Sequence, residues 1–258
     1  MPIVTITSDW SQHDYYAGSL KGAILARCQG VEIVDLSHQI RSFDVVQSIF
    51  IVRHSFGHFP SGTIHLLAVQ SEPTPLTPMV IVQAQEQYFV GINDGRFSLL
   101  FDETPETVLA LPNPTETQTF AAMKLFPQAV AMIVENRIEA ESIPSLLVTE
   151  TASKAAYDSS EIIGRVVYVD SYGNAITNIP QTLFNRVSQG RPFEVFVRGP
   201  SAKLNQIAAF YDQVATGEMV AIFNTIGFLE IALNKANLSL IENIDTHSEI
   251  RIRFYEQK

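Results

Sequence analysis

Strand and helix patterns alternate through the first part of the chain, and this order restricts the chain to few folds. Strands that alternate with helices form a largely parallel sheet with helices packed against it, so the sequence predicts an α/β domain. Ser42 is expected to cap the second helix, and Pro127 is expected to end or kink the helix that contains it. The predicted elements are, in order, a strand over Ile3–Thr7, a helix over Asp14–Cys28, a strand over Val31–Leu36, a helix over Phe43–Phe56, strands over Thr63–Val69, Met79–Val82, Tyr88–Ile92 and Thr107–Leu111, and a helix over Phe120–Val134.

The pattern changes in the second half of the chain, where short strands dominate. The polar, small-residue stretch Thr149–Ser160 is the best candidate for a linker between two domains. We therefore expect an N-terminal α/β domain over residues 1–150 and a smaller, β-rich, barrel-like domain over residues 161–258. Two helices, near Gln181–Ser188 and Ala202–Gln213, are expected to interrupt the strands of the second domain.

Charge and composition exclude several classes of protein. The formal net charge is −10 and no basic cluster is present, which argues against binding to a nucleic-acid backbone. No apolar run reaches the length of a transmembrane helix, so we expect no membrane partner. A single cysteine, Cys28, and the absence of an opening signal peptide predict a cytoplasmic protein. His54 and His58 lie four residues apart without a carboxylate ligand, so we expect no metal site.

The stretch Asp170–Asn178 follows a buried apolar strand and has two interpretations. One is a plain turn, in which Gly173 supplies a positive φ and neighbouring polar side chains bond the local backbone. The other is a small-molecule cradle, since the stretch presents a carboxylate, an aromatic face and an amide at one strand end. Asn174 can pair with the edge of adenine, Tyr172 can stack on a flat ring, and Asp170 can hold an ammonium or ribose hydroxyls.

Three stretches together resemble the S-adenosylmethionine hydroxide adenosyltransferase family, whose relatives include the fluorinase and the chlorinase. The resemblance covers nearly the whole chain, in the order and spacing of the family. The stretches are Thr7–Asp9 with Tyr16–Gly22, Val34–His38 with Phe43–Asp44 and Phe59–Thr63, and Asp170–Asn178 with Asn224–Ala232.

The resemblance implies an assembly and a set of binding residues. It implies a homotrimer in which each nucleoside site lies between the N-terminal domain of one subunit and the C-terminal domain of the next. S-adenosylmethionine would be the substrate or ligand, with no separate cofactor. Carried over by position, the residues are Asp9 for the ribose diol, Phe43 in the nucleoside pocket, Asn174 for the adenine edge, Tyr172 beside the base, Asp170 for the methionine ammonium and Thr225 near the methionine end.

The departures from the family pattern fall on the residues that activate water. The family's aspartate and histidine align with Gln70 and Ala121, neither of which is a useful base, and no arginine follows the Gln70–Thr74 stretch as it does in the family. Glu72 shares a face with Gln70 in an extended segment, so it is our candidate substitute base, with Gln70 orienting the water.

Three interpretations are therefore compatible with the sequence. One is an S-adenosylmethionine hydrolase or adenosyltransferase that releases adenosine and methionine when water attacks the ribose C5′ carbon. The alternative is a non-catalytic adenosine or S-adenosylmethionine binding protein that has lost the water-activating residues. A structural trimer whose pocket has no cellular ligand is a third alternative.

Overall fold

The chain folds into two compact units, which span Met1–Thr151 and Ala152–Lys258. The computed structural model describes residues 1–112, 119–150, 154–197 and 202–256. Each unit has a buried apolar core of its own. No helix within these residues combines the length and the apolar character that a bilayer crossing requires.

The first unit is built on a sheet of seven described strands with helices between them. Its elements are β1 (Ile3–Ser8), α1 (Tyr15–Arg27), β2 (Glu32–Ser37), α2 (Val45–Arg53), β3 (Ile64–Ala68), β4 (Met79–Ala84), β5 (Gln87–Ile92), α3 (Arg96–Leu100), β6 (Thr107–Ala110), α4 (Ala122–Val134), α5 (Ile138–Glu141) and β7 (Ile143–Pro144). The strand order is β2-β1-β3-β5-β4-β6-β7. Strands β2, β1, β3 and β5 pair in parallel, whereas β4, β6 and β7 are joined by antiparallel pairings. The predicted α/β fold is confirmed, with a mixed rather than purely parallel sheet.

An apolar stripe on the first helix faces the core. Leu20 and Ile24, one turn apart on α1, are both fully buried, and Cys28 closes the stripe at the helix end. Helix α1 packs against α4 within one apolar cluster. Burial of each large aliphatic side chain contributes about 1.5–3 kcal/mol, so this stripe fixes α1 on the sheet.

The parallel half of the sheet brings three loops together. In parallel strands the carboxyl ends point to the same edge, where ligands commonly bind in α/β folds. Thr7 of β1 pairs with Ser37 of β2, and Ser8 pairs with Ala68 of β3, so these ends lie side by side. The residues that follow, including Asp9 and Gln70, therefore share one edge of the sheet.

The second unit is a nearly closed antiparallel sheet. Its elements are β8 (Ala156–Tyr157), β9 (Glu161–Val169), β10 (Ala175–Pro180), α6 (Gln181–Ser188), β11 (Phe193–Phe196), β12 (Lys203–Leu204), β13 (Met219–Phe223), β14 (Phe228–Leu233), α7 (Leu238–Glu242) and β15 (Glu249–Phe254). The described strands follow the order β12-β11-β15-β9-β10-β14-β13, and β8 also pairs with β9. Beyond β12 the chain returns to β13 through a bridge between Ala208 and Ile222, which confirms the predicted barrel-like character.

Two local predictions are wrong, and a third is contradicted in one of its two alternatives. The helix expected over Ala202–Gln213 is instead a short strand, an irregular stretch and a single 3₁₀ turn over Tyr211–Gln213. The Ala208 N–H donates to the Ala221 carbonyl of the sheet, and this pairing outweighs local helix propensity. Asp44, not Ser42, caps α2, since its carboxylate accepts from the Gln47 N–H at 2.9 Å. Helix α4 runs through Pro127 and does not end there, so of the two predicted effects only a kink stays a prediction.

Candidate functional site

A pocket of about 930 Å³ lies in the first unit, at the carboxyl ends of β1 and β3. Small-molecule sites typically have volumes of about 300–1,000 Å³, so the pocket is large enough for a nucleoside. Four residues predicted from the sequence line it together, although they are far apart in the chain: Asp9, Phe43, Gln70 and Glu72.

Asp9 holds the loop that carries Phe43. The Phe43 N–H donates to Asp9 Oδ2 at 2.8 Å, which joins this loop to the end of β1. A carboxylate accepts about four hydrogen bonds, so Asp9 keeps acceptor capacity for two hydroxyl groups. The Phe43 side chain is 74% exposed and therefore offers a free aromatic face.

Buried polar contacts fix the residue before Asp9. Ser8 Oγ lies 2.7 Å from Nδ1 of His38, and both residues are buried. His38 Nε2 approaches Asp35 Oδ1 to 3.1 Å at an angle outside hydrogen bonding, while Lys21 Nζ pairs with Asp35 Oδ2 at 2.5 Å. Burial alone raises the pKa of Asp35, but the interactions with Lys21 and His38 outweigh it and leave that pKa below its ordinary value. The strand end that presents Asp9 is thus rigidly supported.

Glu72 contacts Ala121, one of the two positions that depart from the family pattern according to the resemblance. The Ala121 N–H donates to Glu72 Oε2 at 3.3 Å, although the two residues are 49 positions apart. Gln70 and Glu72 both line the pocket, but Gln70 has a φ of 45°, so the segment is not the extended one that we expected. A carboxylate therefore stands beside the position that aligns with the family's histidine.

Three residues that line this pocket have an unfavourable backbone conformation. Phe43, Gln70 and Phe120 have φ values of 66°, 45° and 62°, and all three line the pocket. A residue other than glycine in the left-handed region is unfavourable by about 1–3 kcal/mol, and such strain tends to occur at ligand sites. Residues away from the pocket, such as Gln85, Asn136 and Asn243, also have positive φ values, so backbone strain alone does not identify the pocket as a ligand site.

An aromatic wall closes one side of the pocket and was not found by sequence reasoning. The Phe120 ring packs edge-on against Trp10 and Tyr16, with centroids 5.2 Å and 5.1 Å away. Tyr16 lies inside a stretch that carries the resemblance, and this was its only signal. The described lining contains Asp9, Asp14 and Glu72 but no lysine, arginine or histidine. Acidic groups and aromatic faces favour a ligand with positive charge over an anion.

A second pocket, of about 700 Å³, lies in the second unit and is lined by Asp170, Tyr172 and Asn174. Asp170 Oδ1 accepts from the N–H groups of Tyr172 and Asn174, each at 2.9 Å, as a plain turn requires. Asp170 Oδ2 accepts from the Asn174 side-chain amide at 3.0 Å. This bond directs the amide nitrogen to Asp170 and leaves Oδ1 and one N–H of Asn174 for an adenine edge. The stretch therefore has the hydrogen bonds of the plain turn, and the small-molecule cradle at the same strand end stays a prediction.

Helix α7 and its capping residue hold this turn in place. Gly173 has a φ of 83°, and its carbonyl accepts from the Ser239 N–H at 3.0 Å. A Cβ at Gly173 would lie 2.2 Å from Oδ1 of Asn237, the residue that caps α7. Glycine is therefore required both by the backbone conformation and by the close approach of Asn237.

The remaining predicted residue, Thr225, lies apart from this pocket. It is exposed in the turn between β13 and β14 and is absent from the described lining. The pocket wall instead includes Tyr211, which sequence reasoning missed and whose hydroxyl donates to the buried Glu230 at 2.5 Å. Burial and this hydrogen bond raise the pKa of Tyr211 above its ordinary value. The described residues contain no group of three or more metal-ligating side chains placed to bind an ion.

Family models match both units of the chain. The model for the SAM hydroxide adenosyltransferase N-terminal domain matches residues 4–143, and the model for its C-terminal domain matches residues 164–251.

Curated relatives align over nearly their full length. The (R)-S-adenosyl-L-methionine hydrolase of Methanocaldococcus jannaschii is 20% identical over 270 residues, which cover 98% of this chain and 96% of the relative. The protein of the same name from Thermus thermophilus is 25% identical over 250 residues, with coverages of 91% and 92%. A fluorinase from Nocardia brasiliensis is 21% identical over 290 residues, with coverages of 98% and 97%.

Solved structures share the fold. The crystal structure of an uncharacterized conserved protein from Thermotoga maritima matches with a TM-score of 0.83 and 24% identity, over 98% of this chain and 100% of the other. A conserved hypothetical protein from Thermus thermophilus matches with a TM-score of 0.75 and 23% identity, over the same shares of the two chains.

Proposed function

Because the chain belongs to the SAM hydroxide adenosyltransferase family, we propose that it binds S-adenosylmethionine and hydrolyses it to adenosine and methionine. The observation that carries the proposal is the clustering of the carried-over residues. Asp9, Phe43, Gln70 and Glu72 line one pocket, while Asp170, Tyr172 and Asn174 line another. The names of the curated relatives, which include two hydrolases of S-adenosylmethionine, support the same substrate.

The charge of the first pocket suits a sulfonium substrate. S-adenosylmethionine carries a positive sulfur next to the ribose C5′ carbon, and the described lining has three carboxylates and no basic side chain. Its charge disappears when the C5′–S bond breaks, because the bonding electron pair stays on sulfur and methionine leaves as a neutral thioether. The acidic, aromatic wall therefore favours the substrate over its neutral products.

The attacking water needs a proton acceptor. The water oxygen forms the new bond to C5′ in line with the departing sulfur, and a proton must leave it during or soon after attack. In our proposal the Glu72 carboxylate takes this proton, while the Gln70 amide orients the water. General-base assistance raises the rate by about a hundred- to ten-thousandfold. Proton transfer to Glu72 is therefore the main contribution of a side chain to the chemical step in this proposal.

The remaining side chains hold the two ends of the substrate. Asp9 accepts from the ribose hydroxyls and Phe43 lies along the nucleoside, while Asn174 pairs with the adenine edge and Tyr172 flanks the base. Asp170 already accepts three hydrogen bonds within its turn, which leaves it about one acceptor position for the methionine ammonium.

We further propose the assembly and location that the sequence predicts. The protein would be a cytoplasmic homotrimer whose sites combine the N-terminal unit of one subunit with the C-terminal unit of the next, and in this assembly Thr225 would lie near the methionine end. S-adenosylmethionine is the substrate, and no separate cofactor is proposed.

The test of the catalytic proposal is adenosine release. Purified protein is incubated with S-adenosylmethionine, and adenosine is measured by chromatography against the spontaneous rate. Glu72→Gln should lower turnover by about a hundred- to ten-thousandfold, because the amide cannot take a proton. Glu103→Gln is the matched control, since Glu103 is exposed and absent from the described pocket lining. Turnover that is equal in wild type and Glu72→Gln rules out Glu72 as the base.

A non-catalytic binder is the second candidate function. It is favoured by Gln70 and Ala121, which replace the family's water-activating residues. A binder gives no adenosine above the spontaneous rate but is stabilised by adenosine, by about 2.7 kcal/mol when the ligand is at 100 times its Kd. Thermal unfolding with and without adenosine distinguishes such a protein from one without a nucleoside site.

A further inference from the structure

Arg96 is one of the largest fully buried side chains in the described structure, and it is the first residue of α3. It carries a charge yet is only 1% exposed. A guanidinium out of water must find acceptors for its N–H groups, so its partners define what it does.

All five N–H groups of Arg96 are used within the protein. Nε donates to Asp94 Oδ1 at 2.8 Å and Nη2 donates to Asp94 Oδ2 at 2.7 Å. Nη1 donates to the Val69 carbonyl at 2.9 Å and to the Leu67 carbonyl at 3.4 Å, while Nη2 also reaches the Gln70 carbonyl at 3.3 Å. Arginine has five such donors, so none is left for a ligand. Arg96 therefore acts on the protein and not directly on a substrate.

The three carbonyls belong to the end of β3 and to the two residues after it, where the chain enters the pocket. The last belongs to Gln70, whose φ of 45° is unfavourable for a residue other than glycine. Such a conformation persists only where surrounding contacts hold it. Gln70, Ser71 and Glu72 follow this corner and line the pocket of the first unit. The guanidinium thus donates to the carbonyl of this strained corner from inside the protein.

The turn that carries Arg96 is itself held in place. The Asn93 side chain accepts from the Val148 N–H at 2.9 Å and donates to the Leu146 carbonyl at 2.8 Å. A Cβ at Gly95 would lie 2.2 Å from the Glu150 side chain, so this position favours glycine. Burial alone raises the pKa of Asp94, but Arg96 outweighs burial and keeps that pKa below its ordinary value. The turn that positions the guanidinium is therefore rigid.

We propose that Arg96 is a positioning residue, whose guanidinium fixes the Gln70 corner and thereby aims Gln70 and Glu72 into the pocket. Its effect on turnover rests on the proposed hydrolase function, whereas its effect on the corner does not. Asp9 and Phe43 are held by a separate hydrogen bond, so substrate affinity should depend little on Arg96.

The test compares Arg96→Lys with Arg53→Lys. Lysine keeps the charge but lacks the planar fork, so it cannot bridge Asp94 and three carbonyls. Arg53 is the matched control, because it donates to the carbonyls of Leu99 and Leu100 and to Asp102 at the other end of α3. Hydrogen–deuterium exchange is followed in a peptide spanning residues 66–75, and kcat and KM are measured with S-adenosylmethionine.

Arg96→Lys should speed exchange at residues 70–72 by about tenfold or more, which is the effect of losing one charge-assisted hydrogen bond. Exchange in β1 should not change. The same variant should lower kcat by about tenfold with KM within about twofold, and Arg53→Lys should change neither quantity. Unchanged exchange at residues 70–72, or faster exchange with an unaltered kcat, overturns the proposal.

Two further outcomes are also decisive. If Arg96→Lys does not fold, Asp94→Asn replaces it, because the amide keeps the shape of the carboxylate but weakens its hold on the guanidinium. If the wild type shows no turnover, the hydrolase proposal fails, and the exchange experiment alone decides whether Arg96 holds the corner.

Discussion

Replacing Gly173 by alanine should destabilise the second unit more than the same change at Gly190. The two glycines have nearly the same backbone, with φ values of 83° and 78°. A Cβ at Gly173 would lie 2.2 Å from Asn237 Oδ1, whereas a Cβ at Gly190 would meet no atom within 4 Å. The pair therefore isolates the close approach of Asn237 from the backbone requirement.

The magnitude follows from these contacts. Left-handed backbone is unfavourable for alanine by about 1–2 kcal/mol, and the reduced freedom of the unfolded chain offsets about 0.4–1 kcal/mol of this at both sites. At Gly173 the Asn237 side chain must also move away from the Leu240 N–H that it caps at 2.9 Å, at about 1 kcal/mol. Crowding adds about 1 kcal/mol more. Gly173→Ala should thus be less stable than Gly190→Ala by about 2 kcal/mol.

The assay is thermal unfolding followed by circular dichroism. A difference of about 2 kcal/mol corresponds to roughly 4–8 °C in the midpoint for a chain of this size. In an Asn237→Ala background the extra loss should vanish, because the side chain that meets the new methyl group is gone. Adenosine binding, measured by calorimetry, should weaken in Gly173→Ala because the turn carries Tyr172 and Asn174. Equal midpoints for the two single variants would refute the reasoning.

Two further predictions concern pH and ribose recognition. Burial lowers the pKa of His65 to about 4, against about 6.5 in the unfolded chain, so the unfolded chain binds more protons between these pH values. The free energy of unfolding should therefore fall by up to about 3 kcal/mol as pH drops through this window. Urea midpoints measured from pH 7 to 4.5 should fall in the wild type but not in His65→Gln, and parallel profiles for the two proteins contradict the prediction. Asp9→Asn keeps an acceptor for the Phe43 N–H but removes the charge, so adenosine affinity measured by calorimetry should fall by about tenfold. The control ligand 2′,3′-dideoxyadenosine lacks both hydroxyl groups and should bind the two proteins equally weakly. An equal loss of affinity for both ligands argues against a role of Asp9 at the ribose diol.

Local sequence pattern was sufficient to predict an element whose conformation is determined by its own residues. Leu20 and Ile24 form a stripe at helical spacing, and the structure buries both on α1. The stretch Ala202–Gln213 shows the limit, because its conformation is decided by hydrogen bonds to β13, which is distant in sequence. Sheet pairings between distant segments are invisible to local periodicity, so closure of the barrel was predicted only in general terms.

The candidate site shows the same difference between residues that local sequence indicates and residues that only the fold brings together. Asn174 was proposed from the chemistry of its own stretch and Asp9 from the family resemblance, and the structure places each in the lining of a pocket. The aromatic wall was missed, because Trp10 and Phe120 meet only after folding. Arg96 was missed for a different reason: its partners include backbone carbonyls, which have no signature in the side-chain sequence.

The replacement of a base by an amide changes what the surrounding protein must do. A base at the end of a regular strand is aimed by the strand itself, because side chains alternate between the two faces. Glu72 instead follows Gln70, whose left-handed backbone breaks this alternation, so its direction depends on whatever holds the corner. The bond from the Ala121 N–H fixes one oxygen of Glu72, and Arg96 fixes the backbone before it. In the proposed reaction, moving the carboxylate two positions along the chain therefore makes water activation dependent on a buried arginine that touches no substrate.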